Sequence, residues 1–159
     1  MAGPALLRRL AGERGANLIE AAIATPLLLM LTFSIVDFGS LFWVYLALEN
    51  GASQATRYGV TGNVMTDPSG GALSREDSIK TAMRNATPSL TLPDSDFTFE
   101  HMSPGGSSWA GGAGGPSDIV RLTVQYDWDL LTPILRPFFP GGKIHFTIES
   151  AMKNEGRFN

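Results

Sequence analysis

An apolar run near the N-terminus constrains the fold of this chain more than any other feature. Residues 21–36 read AAIATPLLLMLTFSIV, sixteen residues without a charged side chain. Apolar residues occur on all sides of this run rather than in one stripe, so it does not predict a surface helix of a soluble domain. Residues 16–36 are long enough to cross a bilayer core, which needs about 20 mostly apolar residues. The sequence therefore predicts one membrane-spanning helix.

Charged residues are distributed unevenly around this run. Within residues 1–15, Arg8, Arg9 and Arg14 are opposed only by Glu13, whereas the whole chain has a net charge of -3. The positive-inside rule then predicts a cytoplasmic N-terminus, with the residues after about 50 outside the cytoplasm. An acidic chain has no overall field that attracts nucleic acid. We therefore expect a membrane as partner and no nucleic acid.

The composition and motifs disfavour a catalytic protein. The chain has no cysteine, so it can form neither a disulfide nor a thiolate metal site. His101 and His145 lie on separate predicted strands and have no second histidine at a zinc-ligand spacing. Neither a phosphate loop nor a Gly-x-Ser-x-Gly turn occurs in the sequence. We expect no enzyme, cofactor, metal or small-molecule substrate, although Asp127 and Asp129 leave a calcium site open.

Four interpretations of the apolar run are open. It can be a buried core helix, a cleaved secretory signal, a plain anchor, or a membrane helix that also assembles with other helices. A secretory signal is disfavoured because the run exceeds the usual apolar region of about 7–15 residues and has no clear cleavage motif at its end. The choice between the last two depends on Gly15 and Glu20.

Glu20 places a carboxylate at the edge of the apolar run, five residues after Gly15. A charge at the centre of a membrane helix costs about 2.5–3.5 kcal/mol, so such residues usually have partners. If the chain is cut between Gly15 and Ala16, the new amine of one subunit can pair with Glu20 of a neighbour. Misaligned copies would leave both charges unpaired, so this pair would set the axial alignment of assembled helices. In an uncleaved anchor, Glu20 would instead reach the membrane interface.

The sequence around this junction is similar to a known family over about residues 8–60. The shared features are Gly15, Glu20, Pro26, the VDFG at 36–39 and the LALENGA at 46–52. With these features the chain resembles the TadE-like family. Its members are minor pseudopilins of the tight-adherence (Flp) pilus machinery, a branch of the type IV pilins.

The resemblance implies a structural role in pilus biogenesis. A prepilin peptidase would cleave between Gly15 and Ala16, and Glu20 would be the recognition and assembly carboxylate. The implied partners are the prepilin peptidase, other pilins and pseudopilins, and membrane platform proteins. Many Flp-type prepilins have Phe or Tyr after this glutamate, where this chain has Ala21. Pro26 is expected to kink the helix or loosen its first turns.

The remaining chain predicts a small exported α+β domain. Ser74 is a good N-cap for a short helix that ends at Thr87-Pro88. Alternating apolar and polar residues predict at least three antiparallel strands with one apolar face, which the two helices would cover. The predicted strands are 96–102, 118–128 and 143–152.

Two connections between these strands are unusual. Residues 103–117 contain six glycines and are too flexible to hold one shape without partners. Trp109, in their middle, either contacts a partner or folds back on its own sheet. Residues 130–142 are apolar with three prolines, and they either pack under the sheet or form an exposed assembly surface.

The sequence thus predicts three segments. Residues 1–15 form a basic cytoplasmic leader that is cleaved, 16–59 a long helix that ends near Gly59 or Gly62, and 60–159 an exported domain. The favoured function is that of a minor pseudopilin in the inner membrane or the pilus. The alternatives are an uncleaved, single-span membrane-anchored binding module that uses Trp109, and an exported enzyme with a cleaved signal.

Overall fold

The structure, a computed structural model, describes the backbone of residues 4–158 and the side chains of residues 15–158. The arginine side chains and first three residues of the predicted leader lie outside the described part. The elements are α1 (Pro4–Val60), α2 (Arg75–Ala86), β1 (Phe97–Met102), β2 (Ala110–Gly111), β3 (Ile119–Asp129) and β4 (Lys143–Lys153). This is the predicted α+β class, with a long N-terminal helix, a short helix and an antiparallel sheet.

Helix α1 is continuous over 57 residues, about 86 Å at 1.5 Å per residue. It begins before the predicted start at residue 16, and Pro26 lies inside it without ending it. The helix stops where Gly62 takes a φ of 72°. A Cβ on Gly62 would also lie 2.3 Å from the Phe158 ring, so both the backbone and the packing require glycine there. Gly59, the other predicted stop, instead lies inside the helix.

Only the C-terminal half of α1 carries the folded domain. From Asp37 onward, buried residues recur at spacings of three, four or seven positions, which places them on one face of the helix. They include Asp37, Val44, Leu48, Ala52, Ala55 and Thr56. Strands β3 and β4 and helix α2 pack against this face. The apolar half of the helix extends beyond the domain.

Helix α2 begins at the predicted cap and packs closely on α1. The Ser74 Oγ accepts a hydrogen bond from the Asp77 backbone N–H at 3.0 Å. Met83 is fully buried between the helices. Gly51 on α1 allows this close approach, because a Cβ there would lie 2.6 Å from the Thr87 Cγ2. The small residue therefore sets the distance between the two helices.

The sheet has four antiparallel strands in the order β2-β1-β3-β4. Val120, Leu122 and Val124 are at most 1% exposed, and the residues between them face outward, as the alternation predicts. The inner face packs on α1 and forms one hydrophobic core with residues of that helix that include Leu48. At one edge of this contact the Thr56 hydroxyl shares a 2.8 Å hydrogen bond with the Ser150 hydroxyl of β4. The long helix and the sheet therefore form one core.

Candidate functional site

The N-terminal half of α1 has no cover among the described residues. Every side chain from residue 16 to residue 32 is exposed. The large apolar side chains on it include Leu18, Ile19, Ile23, Leu27, Leu28, Leu29 and Leu31. Water disfavours an apolar surface of this length, so the segment needs lipid or other helices around it. The helix is long and apolar enough to cross a membrane, which suggests a single-pass anchor.

Two hydroxyl groups in this segment are bonded within the helix itself. The Thr32 Oγ1 donates to the Leu28 carbonyl at 2.8 Å, and the Ser34 Oγ donates to the Met30 carbonyl at 2.7 Å. An unbonded donor would be costly in hydrocarbon, where no water can replace the partner. The segment therefore tolerates polar residues in a way that suits a lipid environment.

Gly15, Ala16 and Glu20 all lie on this open part of the helix. Ala16 and Glu20 are four positions apart, so they share one face with a rise of about 6 Å between them. Among the described residues, no atom lies within 4 Å of where a Cβ on Gly15 would be. Close packing therefore does not explain the glycine. Glycine is a poor helix former, by about 1 kcal/mol relative to alanine, so the helix unwinds more readily there.

Asp37 lies where the uncovered N-terminal half of α1, here called the bare half, meets the folded domain. Its side chain is only 2% exposed. One carboxylate oxygen accepts the Leu131 backbone N–H at 2.7 Å and the Thr132 backbone N–H at 3.3 Å. The Thr132 hydroxyl donates to the other oxygen. Asp37 is therefore a link between α1 and the apolar connection 130–142.

Replacing Asp37 with alanine is expected to release this connection from α1. Hydrogen bonds to a charged acceptor contribute about 1.5–3 kcal/mol, so the free energy of unfolding should fall by about that amount. Asp37→Asn keeps one acceptor oxygen and should lose less. Denaturant unfolding in detergent measures the stability, and amide exchange at Leu131 and Thr132 reports the link itself. Unchanged exchange at both amides in Asp37→Ala would contradict the assignment.

The apolar connection is partly buried and partly exposed, and its use as an assembly surface stays a prediction. Leu130 and Leu135 are buried against the core, at 1% and 5% exposure. Leu131, Ile134 and Phe138 point away from the core and are exposed. The connection therefore packs on the sheet and presents an apolar outer surface at the same time.

Trp109 lies over the outer face of the sheet. The Arg121 guanidinium is 4.2 Å from the centre of the indole ring, a distance that allows a cation–π contact. The Arg121 Nε also donates to the Glu100 carboxylate at 3.0 Å. Trp109 stays 38% exposed. It folds back on its own sheet while keeping one surface accessible, and its role as a contact for a partner stays a prediction.

A half-buried arginine, Arg75, holds the Gly-rich connection in place, which sequence reasoning missed. Arg75 donates hydrogen bonds to the carbonyls of Gly59 at 2.8 Å and Ala113 at 2.7 Å. It also donates to the Asn154 side chain at 2.7 Å and lies 4.4 Å from the centre of the Phe158 ring. One side chain thus joins the end of α1, the Gly-rich connection and the C-terminal segment.

Glycines of this connection allow the backbone to reach that arginine. Gly114 has a φ of 65°, and a Cβ there would lie 2.7 Å from the His101 Cβ. Its carbonyl accepts from Arg75 at 2.6 Å. Burial lowers the pKa of Arg75 from its ordinary value, and the Asp118 carboxylate opposes that shift. The partners that a flexible segment needs are therefore supplied by the chain itself.

Two aspartates of β3 each pair with a basic residue on the neighbouring strand β4. Asp127 pairs with His145, and Asp129 lies 3.5 Å from the Lys143 ammonium group. These pairs sit opposite each other in the β3–β4 register. Within the described residues, no group of three or more His, Asp or Glu side chains could hold a metal ion.

The geometry defines a class of protein: a small α+β domain fixed to the second half of a helix whose first half suits a membrane. Residues 15–57 match the model of the family described as TadE-like protein, the family that the sequence resembles. The match covers Gly15, Glu20, the exposed residues 16–32 and most of the buried face of α1 that contacts the domain. It suggests a protein associated with the Tad pilus. No curated protein and no solved structure matches the chain.

Proposed function

We propose that the chain is a minor pseudopilin-like subunit for assembly of a tight-adherence pilus. It inserts with its N-terminus in the cytoplasm and is cleaved by a prepilin peptidase between Gly15 and Ala16. The bare half of α1 then packs among the helices of other pilins or pseudopilins, while the α+β domain lies outside the cytoplasm. The inner membrane holds the protein before assembly.

One observation carries this proposal. The part of α1 that has no cover, residues 16–32, contains both the open face and the Glu20 carboxylate, and it lies within the segment similar to TadE-like proteins. A plain anchor needs only apolar residues, and a charge within the segment adds cost. A helix that must meet other helices has a use for such a charge.

The pairing of Glu20 with a neighbouring Ala16 amine follows from simple electrostatics. Cleavage after Gly15 creates a positive charge at a helix N-terminus, where the helix dipole also favours nearby carboxylates. In a low-dielectric environment, two opposite charges attract strongly and an unmatched charge is costly. Apolar contacts therefore drive the helices together, and the charge pair selects one axial alignment.

The placement of the domain supports the same function. Its buried contacts with α1 begin at Asp37, after the bare segment, so the domain leaves the apolar half free for assembly. Gly39 offers another open position on the helix, since no described atom lies within 4 Å of its missing Cβ. Small residues allow close helix contacts in membranes. The domain then forms the outer surface of the assembled subunit.

Deletion and complementation test the proposal in cells that make this chain. Loss of the gene is expected to abolish surface pili seen by electron microscopy, and the wild-type gene should restore them. An immunoblot of the major pilin in the same membranes serves as the control, because its synthesis should not change. Normal pili in the deletion strain would contradict the proposed function.

A further inference from the structure

The outer surface of the connection 130–142 is an exposed apolar patch. Leu131, Ile134 and Phe138 are 57%, 48% and 68% exposed, and we call these three side chains the apolar patch. The only charged residue in the connection is Arg136, whose Nε is bonded to the Leu130 carbonyl at 3.0 Å. Arg136 is itself exposed, so the patch presents apolar groups beside one cationic side chain.

The backbone of this connection is held in a defined shape. The Leu130 N–H donates to the Gly142 carbonyl at 3.2 Å, which closes the two ends of the connection on each other. Short 3₁₀ turns at Arg136–Phe138 and Pro140–Gly142 fix the chain between them. The patch is thus a preformed surface, and little conformational entropy is lost when something covers it.

The link to Asp37 fixes the level of the patch along α1. Residues 16–36 span about 31 Å at 1.5 Å per residue, close to the bilayer core of about 30 Å. Asp37 therefore lies at the outer boundary of the hydrocarbon when this segment crosses a membrane. The Leu131 amide is 2.7 Å from the Asp37 carboxylate, so the patch lies at the same boundary.

We propose that the apolar patch inserts into the outer leaflet of the bilayer beside α1, at the level of the headgroups and first acyl carbons. Interfacial elements bury apolar side chains about 5–10 Å into this region. The domain is then held at two points, through α1 and through the patch, and its tilt on the membrane is fixed. The inference rests on the membrane span of α1 but on neither cleavage nor pilus assembly.

The apolar patch adjoins the membrane-spanning part of α1, and this position favours lipid over a second copy of the chain as the cover of the patch. The patch begins at the residue bonded to the end of the apolar segment, and lipid already surrounds that segment on all sides. Trp43, about two turns further along α1, is 56% exposed and is suited to the interface. An apolar surface at this level contacts lipid without any further partner.

The absence of native cysteine allows a direct test with single-cysteine spin labels on the full chain. Ile134→Cys and Phe138→Cys are labelled and reconstituted in vesicles of phosphatidylethanolamine and phosphatidylglycerol. We expect both labels to be open to oxygen, which concentrates in lipid, and shielded from a water-soluble nickel complex. Their ratio of oxygen to nickel accessibility should exceed that of the control several-fold.

Val64→Cys is the matched control, because Val64 is also apolar and 49% exposed but follows the far end of α1. Leu28→Cys reports the spanning helix. Water exposure at 134 and 138 equal to that at 64 would overturn the inference, and a lipid-exposed Leu28 would then leave the membrane anchor standing. A water-exposed Leu28 would overturn the anchor as well. Spin–spin broadening at 134 and 138 that disappears on dilution with unlabelled chain would show that a second copy covers the patch, which also overturns it.

Discussion

Replacing Glu20 with alanine is expected to leave the protein in the membrane but to reduce surface pili at least about tenfold. The change removes a charge from an apolar segment, so insertion becomes easier rather than harder. We expect less assembly because no charge pair then distinguishes the correct axial alignment of two apolar helices from a displaced one. A loss of about 1.4 kcal/mol at one contact already changes its equilibrium constant tenfold.

Two further variants separate charge from shape at this position. Glu20→Gln keeps the size of the side chain without its charge and should behave like the alanine variant. Glu49→Ala is the matched control, because Glu49 lies on the same helix beyond the apolar segment, where its carboxylate accepts a 2.9 Å hydrogen bond from the Tyr45 hydroxyl. Pili should form normally in this control. Normal piliation in Glu20→Gln would show that the charge has no role in alignment.

Replacing Gly15 with leucine is expected to prevent the appearance of the shortened chain. Leucine favours the helix by about 0.8 kcal/mol relative to glycine, and unwinding the helix for cleavage would become about fourfold rarer. A peptidase site shaped for glycine would also exclude the larger side chain. The two effects act in the same direction, so the full-length chain should accumulate in the membrane on an immunoblot.

Gly39→Leu provides the matched control for this experiment. Gly39 lies on the same helix, and its missing Cβ likewise has no described atom within 4 Å. The substitution therefore changes helix propensity by the same amount, at a distance from the proposed cleavage site. This variant should be shortened like the wild-type chain. A shortened product from Gly15→Leu would refute the assigned site.

Much of the fold could be predicted from the sequence because it follows from periodicity. The apolar run with no stripe predicts the bare helix, and the alternation of Val120, Leu122 and Val124 predicts the inner face of the sheet. Ser74 predicts the start of α2 because its side chain caps a backbone N–H three residues later. These signals are local, so each is visible within one turn or one strand.

The contacts that join distant segments could not be predicted. Asp37 and Thr132 are 95 residues apart, and nothing in the local pattern of either shows which backbone amides the carboxylate accepts. Arg75 is the first residue of α2, where the sequence predicts a solvated side chain, although it bonds to Asn154 in the C-terminal segment. The two-residue strand β2 was missed because glycines mask any alternation there. An aspartate directly after a long apolar run is the one sequence signal that could have indicated such a link.

These long-range contacts also relate the fold to the proposed function. Asp37 fixes the domain at the end of the bare segment, and Arg75 holds the Gly-rich connection against the opposite end of the α1 contact. The domain is therefore attached to α1 along its whole C-terminal half. Under the proposed function, this attachment would carry the domain with the helix into the assembly.

The intact mass of the native protein, extracted from membranes, tests processing after Gly15 without a variant. We expect a chain that begins at Ala16 and lacks residues 1–15, with the rest of the sequence present. A full-length chain beginning at Met1 would contradict processing after Gly15 and would leave a single-span anchored domain. A chain that lacks residues 1 to about 40 would instead show a cleaved secretory signal. Such a chain would also have lost the part of the helix on which assembly depends.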